Sequence, residues 1–510
     1  MVSNKLKAYN KSIRASNVYD VAEVTPITKA NSLSKQLKNN IFLKREDLQP
    51  VFSFKVRGAY NKISKLKKTS SDRPVIAASA GNHAQGVAYS AKKLGLKSII
   101  VMPITTPLIK INAVKNLGSK VIFFGDNFDE AYNHAVSLAK KENYSFIHPY
   151  DDKEVISGQG TIGKEIIEQI DSKIEAVFVP VGGGGLLAGV GAYIKSEHPE
   201  IKVIGVEPED AACLDLAIKN NKRLSLKEVG LFADGVAVKQ IGKLTFSLIR
   251  DWIDGVVTVS VDEMCAAVQD TFQETRTIPE PAGALALAGL KKYTKSKGLK
   301  SKNLIAINSG ANLNFDRLGH IVERVQLGEN KEVLLSVRIP EEKGSFRRFC
   351  KVLGKRMISE FNYRAEDSAE ATIFVACRFN DSNQRAKLLK HLRSKGYSPK
   401  DLSENEVAKL HVKHMVGGRA PKTVSNKGEF LFRVEFPERP GALVDFLDRL
   451  SDKWNITLFH YRNQGSAYGR VLVGFESQSK NYLQLTKYLE KTGFRFWDET
   501  DNLAYKSFLK

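Results

Sequence analysis

The residue best suited to covalent chemistry is Lys55, in the segment SFKVRGAY at residues 53–60. Its neighbours Phe54 and Val56 favour partial desolvation of the amine, which lowers its pKa and populates the neutral form that attacks carbonyl carbons. An ordinary surface lysine is the alternative, because the chain contains 78 lysines and arginines. Lys55 therefore needs companion motifs before a role can be assigned.

A second segment, SAGNHAQG at residues 79–86, predicts a binding loop for a carboxylate. It follows the apolar run PVIAA and opens a helical pattern, so its small residues leave backbone N–H groups free at a helix start. The residues concerned are Ser79, Ala80, Gly81, Asn82 and His83. A simple helix cap by Ser79 or Asn82 is the alternative. His83 could act as a base, but we expect it to position the loop.

The third segment is a run of glycines between the strand-like AVFVP and the apolar, helical LLAGVGAYI. The run consists of Gly182, Gly183, Gly184 and Gly185, and Leu186 follows it. Consecutive glycines carry an entropy cost that a plain turn does not require, whereas a phosphate needs close approach of the backbone. This loop has neither the GxGxxG nor the GKS/T pattern, so it suits one phosphate group better than a dinucleotide or a nucleoside triphosphate.

The fourth segment, SGANLN, places Ser309 at the end of the strand-like run NLIAI. A hydroxyl at this position could hydrogen-bond a heterocyclic nitrogen, and a helix cap is the alternative. A reactive lysine, a phosphate cradle, a carboxylate loop and a ring partner together indicate pyridoxal 5'-phosphate (PLP) as the cofactor.

These four segments need a scaffold that brings distant residues together. Between about residues 40 and 325, short β-rich runs alternate with helical patterns. The runs are NIFLKRED, PVIAAS, KSIIVMP, KVIFFG, AVFVPVGG, KVIGVEP and NLIAINSG. This alternation predicts an α/β fold in which helices cover both faces of a mainly parallel sheet, with ligands bound beyond the carboxyl ends of its strands.

After about residue 330 the pattern changes to an internal repeat. The segment SVRIPEEKGSFRRFCKVL, from Ser336, parallels RVEFPERPGALVDFLDRL, from Arg433, at an offset of 97 residues. Each copy predicts a strand, a Pro/Gly turn, an amphipathic helix and further strands, which fits two α+β units of the ferredoxin-like type. We therefore predict a core at residues 1–328 and two smaller subdomains at residues 329–425 and 426–510.

The composition argues against several other functions. No apolar run approaches the roughly 20 residues of a membrane helix, and the net charge of +22 is dispersed rather than gathered in a nucleic-acid-binding motif. The four cysteines form no CxxC pair, and the histidine pair His411 and His414 has no third ligand near it in sequence. We expect a cytoplasmic protein that binds neither membrane, nucleic acid nor metal.

The motifs SFKVRGAY, SAGNHAQG, PVGGGGL, FADGVAV, EPAGA and NSGAN resemble, in order and approximate spacing, those of the serine/threonine dehydratases of PLP fold-type II, the tryptophan synthase β family. The repeat resembles the paired ACT-like regulatory domain of biosynthetic threonine dehydratases, also called threonine ammonia-lyases. The resemblance implies a two-subdomain catalytic core followed by two ACT-like subdomains. It also implies a homotetramer in isoleucine biosynthesis, with L-threonine and L-serine as substrates, isoleucine as inhibitor and valine as its antagonist.

The resemblance also implies roles for the residues named above. Lys55 would form the Schiff base and remove the Cα proton, Phe54 would pack beside the cofactor, and Asn82 would hydrogen-bond its 3-hydroxyl. The glycines and Leu186 would hold the phosphate, and the loop of residues 79–83 would hold the substrate carboxylate. Ser309 would bind the pyridine nitrogen and leave it neutral, which favours rapid loss of a β-hydroxyl over a long-lived carbanion.

Two alternatives and one departure accompany this resemblance. A serine dehydratase or serine racemase would share the core but would not need the duplicated C-terminal half, and an amino-acid sensor that has lost catalysis would not need all four segments. Metal-binding relatives carry an acid six residues after the glutamate that corresponds to Glu207, where this chain has Cys213. We therefore expect no magnesium at that position.

Overall fold

The computed structural model describes residues 4–509 apart from a few short segments. These are 71, 316, 329–331, 367, 380–382, 438–441, 451–453, 463–467, 477–480, 504 and the stretch 406–427 except for 408, 412, 417 and 420. His411 and His414 lie outside the described residues. The chain divides into two compact units, Met1–Gly328 and Glu329–Lys510.

The first unit alternates strands and helices along the chain. Its described strands are β1 (Ile27–Lys29), β2 (Asn40–Arg45), β3 (Val75–Ala78), β4 (Ser98–Met102), β5 (Lys120–Phe123), β6 (Ser145–Phe146), β7 (Ala176–Pro180), β8 (Lys202–Pro208), β9 (Gly255–Val259) and β10 (Asn303–Asn308). Its described helices are α1 (Asn4–Arg14), α2 (Asn31–Leu37), α3 (Lys55–Ser70), α4 (Asn82–Lys93), α5 (Leu108–Asn116), α6 (Phe128–Lys141), α7 (Lys153–Gln169), α8 (Gly185–Glu197), α9 (Cys213–Lys219), α10 (Lys243–Ile249), α11 (Val261–Thr275), α12 (Pro281–Lys297) and α13 (Arg317–Gly328).

Two sheets form the frame of this unit. The larger sheet has the strand order β1-β2-β10-β7-β8-β9 and is parallel except for β1, which pairs antiparallel with β2. The smaller sheet has the order β5-β4-β3-β6 and is parallel throughout its described strands. The prediction of an α/β fold with mainly parallel sheets is confirmed.

Strands that are covered on both faces explain the apolar runs in the sequence. Every residue of β3, β4 and β7 is buried, so these strands have no solvent-facing side that would require alternating polar residues. All seven apolar runs form strands in the structure. The helices α8 and α12 are also almost entirely buried over their first three turns, and they pack beside the larger sheet.

The second unit contains the two repeat copies. The first copy comprises β11 (Glu332–Pro340), α14 (Ser345–Leu353), β12 (Met357–Arg364), β13 (Glu370–Arg378), α15 (Asn383–Ser394) and β14 (Lys400–Asp401). The second comprises β15 (Glu429–Pro437), α16 (Ala442–Leu450), β16 (Asn455–Arg462), β17 (Tyr468–Glu476), α17 (Tyr482–Lys491) and β18 (Arg495–Asp498). Both copies therefore have the predicted βαββαβ order.

The two copies share one antiparallel sheet, ordered β14-β11-β13-β12-β16-β17-β15-β18 over the described strands. Strands β12 and β16 pair across the boundary between the copies, with Asn362 opposite His460. Phe361 and Phe459 pack edge to face with ring centroids 5.8 Å apart, so one hydrophobic core runs through both copies. The α+β prediction for this half is confirmed. No helix in the described part of the chain combines the length and apolar character needed to cross a bilayer.

Candidate active site

One cavity in the first unit is formed by the predicted segments. The loops after β7 and β10 of the larger sheet and after β3 of the smaller sheet all contribute to it. It is lined by Phe54, Lys55, Asn82, Tyr150, Pro180, Gly182, Gly183, Gly184, Gly185, Leu186, Gly235, Val236, Glu280, Ala282 and Ser309. The fold thus brings together the lysine, the glycine segment and the strand-end serine, which are far apart in the sequence.

Lys55 is the first residue of α3 and is held at the edge of this cavity. Its Nζ donates a hydrogen bond to the Pro149 carbonyl at 3.1 Å and lies 5.2 Å from the centroid of the Phe54 ring. Burial lowers the pKa of Lys55 to about 8, although the nearby charge of Glu280 opposes the shift. About a tenth of the amine is therefore neutral at pH 7, far more than in an ordinary lysine.

The glycine segment connects β7 to α8 and provides unpaired donors. Gly184 is the N-cap of α8 with a φ of 88°, and no side chain caps that end. No described residue accepts a hydrogen bond from the backbone N–H groups of Gly183, Gly184, Gly185 or Leu186. These donors and the positive end of the helix dipole could hold a phosphate group.

Close packing is a second reason for glycine in this segment. A Cβ on Gly183 would lie 2.2 Å from the Tyr150 ring, and one on Gly182 would lie 3.0 Å from Cα of Val236. Larger residues would displace the walls of the cavity as well as its backbone donors. The glycine segment is thus required by its neighbours and also suited to a phosphate.

Ser309 is buried at the end of β10, on the same cavity. Its carbonyl oxygen accepts a hydrogen bond from the Phe54 N–H at 3.3 Å, which joins the lysine loop to the serine loop. Its Oγ donates to the carbonyl of Ala282 at 3.2 Å. Because a hydroxyl has one hydrogen, donation to a ring nitrogen would require Oγ to turn away from Ala282.

The loop predicted to bind a carboxylate opens α4 without a side-chain cap. The N-cap is Gly81 rather than Ser79 or Asn82, and Ser79 Oγ accepts the Gly81 N–H at 3.1 Å. His83 Nε2 donates to the carbonyl of Ile147 at 2.9 Å, and burial lowers the pKa of His83 to about 3. A neutral, anchored imidazole of this kind fits the expected positional role.

Ala80 does not line the cavity but lines a second, wider cleft that shares Glu280 with it. The cleft is lined by Ala80, Pro103, Thr105, Thr106, Pro107, Lys110, Asp126, Asn127, Phe128, Leu231, Asp234, Glu280, Pro281, Asn312, Leu313, Asn314 and Arg317. Lys110 forms an ion pair with Asp234, and Arg317 Nη1 lies 3.8 Å from the same carboxylate. The cleft thus lies beside the cavity and combines a largely apolar lining with charges of both signs.

Sequence reasoning missed several wall residues. They are Tyr150, Pro180, Gly235, Val236, Glu280 and Ala282. Four of them lie in FADGVAV and EPAGA, two motifs that contributed only to the resemblance, whereas no sequence signal marks Tyr150. Burial raises the pKa of Glu280 to about 7, and Asp234 adds to this shift while Asn82, Lys110 and Lys55 oppose it.

Glu207 does not face an arrangement of metal ligands. Its buried carboxylate accepts hydrogen bonds from the N–H groups of Leu214 and Asp215, at 2.7 and 2.8 Å, and so caps the start of α9. Cys213 Sγ donates to the carbonyl of Gly182 at 3.5 Å. Within the described residues, no group of three or more histidine, cysteine or acidic side chains could hold a metal ion.

The residues of the cavity fit PLP. The free N–H groups of the glycine segment suit its phosphate, Lys55 suits its aldehyde, and Ser309 suits its ring nitrogen. The chemistry available to such a site is the activation of an amino acid at Cα.

Comparisons with known proteins agree with this arrangement. The family described as "Pyridoxal-phosphate dependent enzyme" matches residues 18–310, and the family described as "C-terminal regulatory domain of Threonine dehydratase" matches residues 323–412 and 421–509. The chain is 48% identical over 504 residues to L-threonine dehydratase biosynthetic IlvA of Burkholderia multivorans, covering 98% of this chain and 99% of that protein.

Two plant proteins are also similar. The chloroplastic biosynthetic threonine dehydratase of Arabidopsis thaliana is 47% identical over 498 residues, covering 98% of this chain and 83% of that protein. The solved structure of the processed form of threonine deaminase isoform 2 from Solanum lycopersicum has 48% sequence identity and a TM-score of 0.62, covering 63% of this chain and 94% of that chain.

Proposed function

The chain belongs to the threonine dehydratases that carry a C-terminal regulatory domain, and we propose that it deaminates L-threonine, and also L-serine, with PLP as cofactor. L-Threonine loses water across Cα and Cβ, and hydrolysis of the resulting enamine or imine returns one water and releases ammonia. The net products are 2-oxobutanoate and ammonia, and the reaction is the first step of isoleucine biosynthesis. The observation that carries the proposal is the shared cavity of Lys55, the glycine segment and Ser309.

Bound PLP withdraws electrons from the substrate Cα and so acidifies the proton there. Lys55 is the base that we assign to this proton, because its Nζ lines the cavity and burial keeps part of it neutral. Ser309 is the partner that we assign to the ring nitrogen. A neutral hydroxyl favours a neutral ring nitrogen, whereas a carboxylate would favour a protonated one. The neutral ring nitrogen in turn favours rapid loss of the β-hydroxyl.

The substrate carboxylate is assigned to the start of α4. No side chain caps this end of the helix, and the positive end of its dipole attracts an anion. Two hydrogen bonds hold the loop, since Ser79 Oγ accepts from the Gly81 N–H and His83 donates to the Ile147 carbonyl. Ser79, Ala80, Gly81, Asn82 and His83 thus form a preorganised loop rather than a set of side-chain ligands.

Substrate profiling of the full-length protein tests this function. With added PLP, L-threonine should yield 2-oxobutanoate and ammonia, L-serine should yield pyruvate, and the Lys55→Ala variant should do neither while keeping its far-ultraviolet circular dichroism. Net conversion of L-serine to D-serine as the main reaction would instead indicate a racemase. Amino-acid binding without any 2-oxo acid would indicate a sensor.

The second unit is a regulatory domain that binds amino-acid effectors, and we propose isoleucine as inhibitor and valine as its antagonist. In the first copy, α14 begins after Gly344, whose φ is 85°, and the N-cap residue has no side chain to cap that end, although the Ser345 N–H donates to the Glu342 carbonyl at 3.1 Å. The positive end of the helix dipole favours a carboxylate there. Glu341 lies at the same turn and accepts a hydrogen bond from the Tyr363 hydroxyl at 3.0 Å. It is a candidate partner for the effector ammonium. The matching turn of the second copy falls mostly outside the described residues.

We further propose a cytoplasmic homotetramer whose core spans residues 1–328 and whose effector-binding subdomains span residues 329–425 and 426–510. The division of the chain at Gly328 and the two-part match to the regulatory family support these boundaries. The described cysteines are all free, which is compatible with a reducing compartment. Light scattering of the purified protein measures the subunit number.

A further inference from the structure

Glu280 holds a central position that no motif explained. It precedes α12, and its backbone is fastened to the serine loop, since its N–H donates to the Gly310 carbonyl at 3.1 Å. Its own carbonyl accepts from Gly283 and Ala284 in the first turn of the helix. The side chain is only 3% exposed and lies on both the cavity and the outer cleft. Its carboxyl group therefore has a fixed place beside the expected cofactor.

The carboxyl group of Glu280 is bonded to Asn82. Asn82 Nδ2 donates to Glu280 Oε1 at 2.5 Å, and Asn82 Oδ1 accepts from Asn312 Nδ2 at 2.7 Å. Asn312 is fixed in turn by donating to the Val51 carbonyl at 2.8 Å. Both ends of the Asn82 amide are thus held by residues from other parts of the chain.

These contacts decide what Asn82 can offer to a ligand. An amide has two N–H hydrogens and a carbonyl oxygen with two lone pairs; the contact with Glu280 uses one N–H, and the contact with Asn312 turns the oxygen toward Asn312, so the second N–H is the group left for the cavity. Oε1 of Glu280 accepts from the nitrogen of Asn82, and Oδ1 of Asn82 accepts from Asn312, so both contacts require the same orientation of the amide. Asn82 therefore presents a hydrogen-bond donor to the cavity, which suits an anionic or phenolic oxygen.

We propose that Glu280 is a positioning residue that orients the Asn82 amide, so that its remaining N–H points to the 3-oxygen of PLP. The inference rests on the proposed cofactor, and it assigns Glu280 no contact with the reacting atoms. Glu280 acts through Asn82, and Asn312 supports the same orientation from the other end. Loss of the acceptor at Glu280 removes one of the two contacts that orient the amide and so weakens its preference for donating into the cavity.

Four full-length variants test this chain of contacts. They are Glu280→Ala, Glu280→Gln, Asn82→Ala and the double variant of Glu280→Ala with Asn82→Ala. Two readouts do not depend on turnover: the dissociation constant of PLP from titration of the cofactor-free protein, and the absorption spectrum of the bound cofactor, which reports the environment of its 3-oxygen. Glu280→Ala should raise the dissociation constant about tenfold and shift the spectrum as Asn82→Ala does.

Rescue and non-additivity distinguish positioning from a general loss of structure. Glu280→Gln keeps an acceptor for Asn82, so its dissociation constant should stay within about threefold of the unsubstituted protein. The double variant should be no weaker than Asn82→Ala alone, because that substitution removes the group through which Glu280 acts. Glu263→Gln is the matched control: it makes the same change of charge in the capping box of α11, where glutamine is also accepted, and Glu263 does not line the cavity, so it should leave the PLP dissociation constant unchanged.

Three results overturn the inference: additive losses in the double variant, a normal spectrum and affinity in Glu280→Ala, or a loss of more than about tenfold in Glu280→Gln. If Glu280→Ala does not fold, the affinity of Glu280→Gln still decides the question, because glutamine preserves the shape of the side chain. If the unsubstituted protein binds no PLP, the proposed function itself is wrong. If the unsubstituted protein binds PLP and Glu280→Ala has the same PLP affinity and spectrum, only the positioning role of Glu280 is refuted.

Discussion

At the scale of single residues, burial decides which groups of the site are reactive. Lys55 is one of many basic residues, but its position between Phe54 and the cavity lowers its pKa to about 8. His83 directly follows the cavity residue Asn82. Burial lowers the pKa of His83 to about 3, and its Nε2 donates to a backbone carbonyl. The same cause therefore prepares the lysine for reaction and keeps the histidine neutral.

The lowered pKa of Lys55 predicts how fast cofactor-free protein takes up PLP. The neutral amine reacts with the aldehyde, and its share rises with pH until the pKa is passed. The uptake rate should therefore increase from pH 6 to about 8 and then level off, as measured by absorbance after rapid mixing. A rate that still climbs about tenfold per pH unit at pH 9 is the behaviour of an unperturbed lysine and would contradict the assignment.

Substitutions of Ser309 test its assigned contact with the ring nitrogen. Ser309→Ala should still bind PLP through Lys55 and the glycine segment, but kcat should fall by about 10- to 100-fold. Ser309→Asp should favour a protonated ring nitrogen and lower the share of turnover that ends in elimination, measured as 2-oxo acid formed per substrate consumed. If both variants match the unsubstituted protein in rate and products, Ser309 serves only its contacts with Ala282 and Phe54.

At the scale of elements, the junction of β7 and α8 determines how a phosphate can be held. The strand ends at Pro180, the helix begins at Gly185, and the connection between them turns through the left-handed backbone of Gly184. A helix start with uncapped N–H groups results, and it faces the cavity because β7 lies inside the larger sheet.

A pair of alanine substitutions separates backbone strain from damage to this junction. Gly184 and Gly118 have φ values of 88° and 90°, so alanine should cost about 1–2 kcal/mol of stability at either position. A Cβ on Gly184 would also lie 2.7 Å from Cδ1 of Ile241, whereas nothing lies within 4 Å of one on Gly118. Gly184→Ala should weaken PLP binding at least about tenfold, and Gly118→Ala should lower only the melting temperature. Equal PLP affinities in the two variants would show that the junction does not hold the cofactor.

At the scale of the whole molecule, the chain consists of a unit with a complete cavity and a unit with a duplicated fold. All residues that line the cavity belong to Met1–Gly328. The role of the second unit in assembly or regulation can therefore be tested by removing it.

Truncation after residue 328 should leave threonine deamination but abolish the response to amino acids. In the full-length protein, isoleucine should shift threonine saturation to higher concentrations or make it sigmoidal, and valine should reverse this, because each effector acts through its different affinity for two states. Initial rates with and without each effector provide the measurement, and PLP absorbance verifies that the truncated protein is intact. Continued inhibition of the truncated protein by isoleucine would falsify the regulatory assignment.

Local patterns were sufficient for seven of the ten strands described in the first unit, and they missed β1, β6 and β9. Each of the seven apolar runs forms a strand. Strands β3, β4 and β7 are buried on both faces, which leaves a continuous apolar signal in sequence, whereas β5 has no buried residue and was still readable from its run KVIFFG. The two-residue β6 and the three-residue β1 have no such signal and exist through pairing with β3 and β2. The repeat was readable because both copies need the same turn and the same apolar helix face.

The sequence by itself determined the class of the fold, the duplication and the segments that bear the lysine, the glycines and the serine. These features depend on residues that are adjacent or periodic along the chain. Only the tertiary structure showed that Tyr150 packs against Gly183 and that Gly81 is the N-cap of α4. It also showed the hydrogen bond from Asn82 to Glu280, which are 198 residues apart in sequence. Contacts of that kind arise when separate loops meet at strand ends, and no local pattern along the chain encodes them.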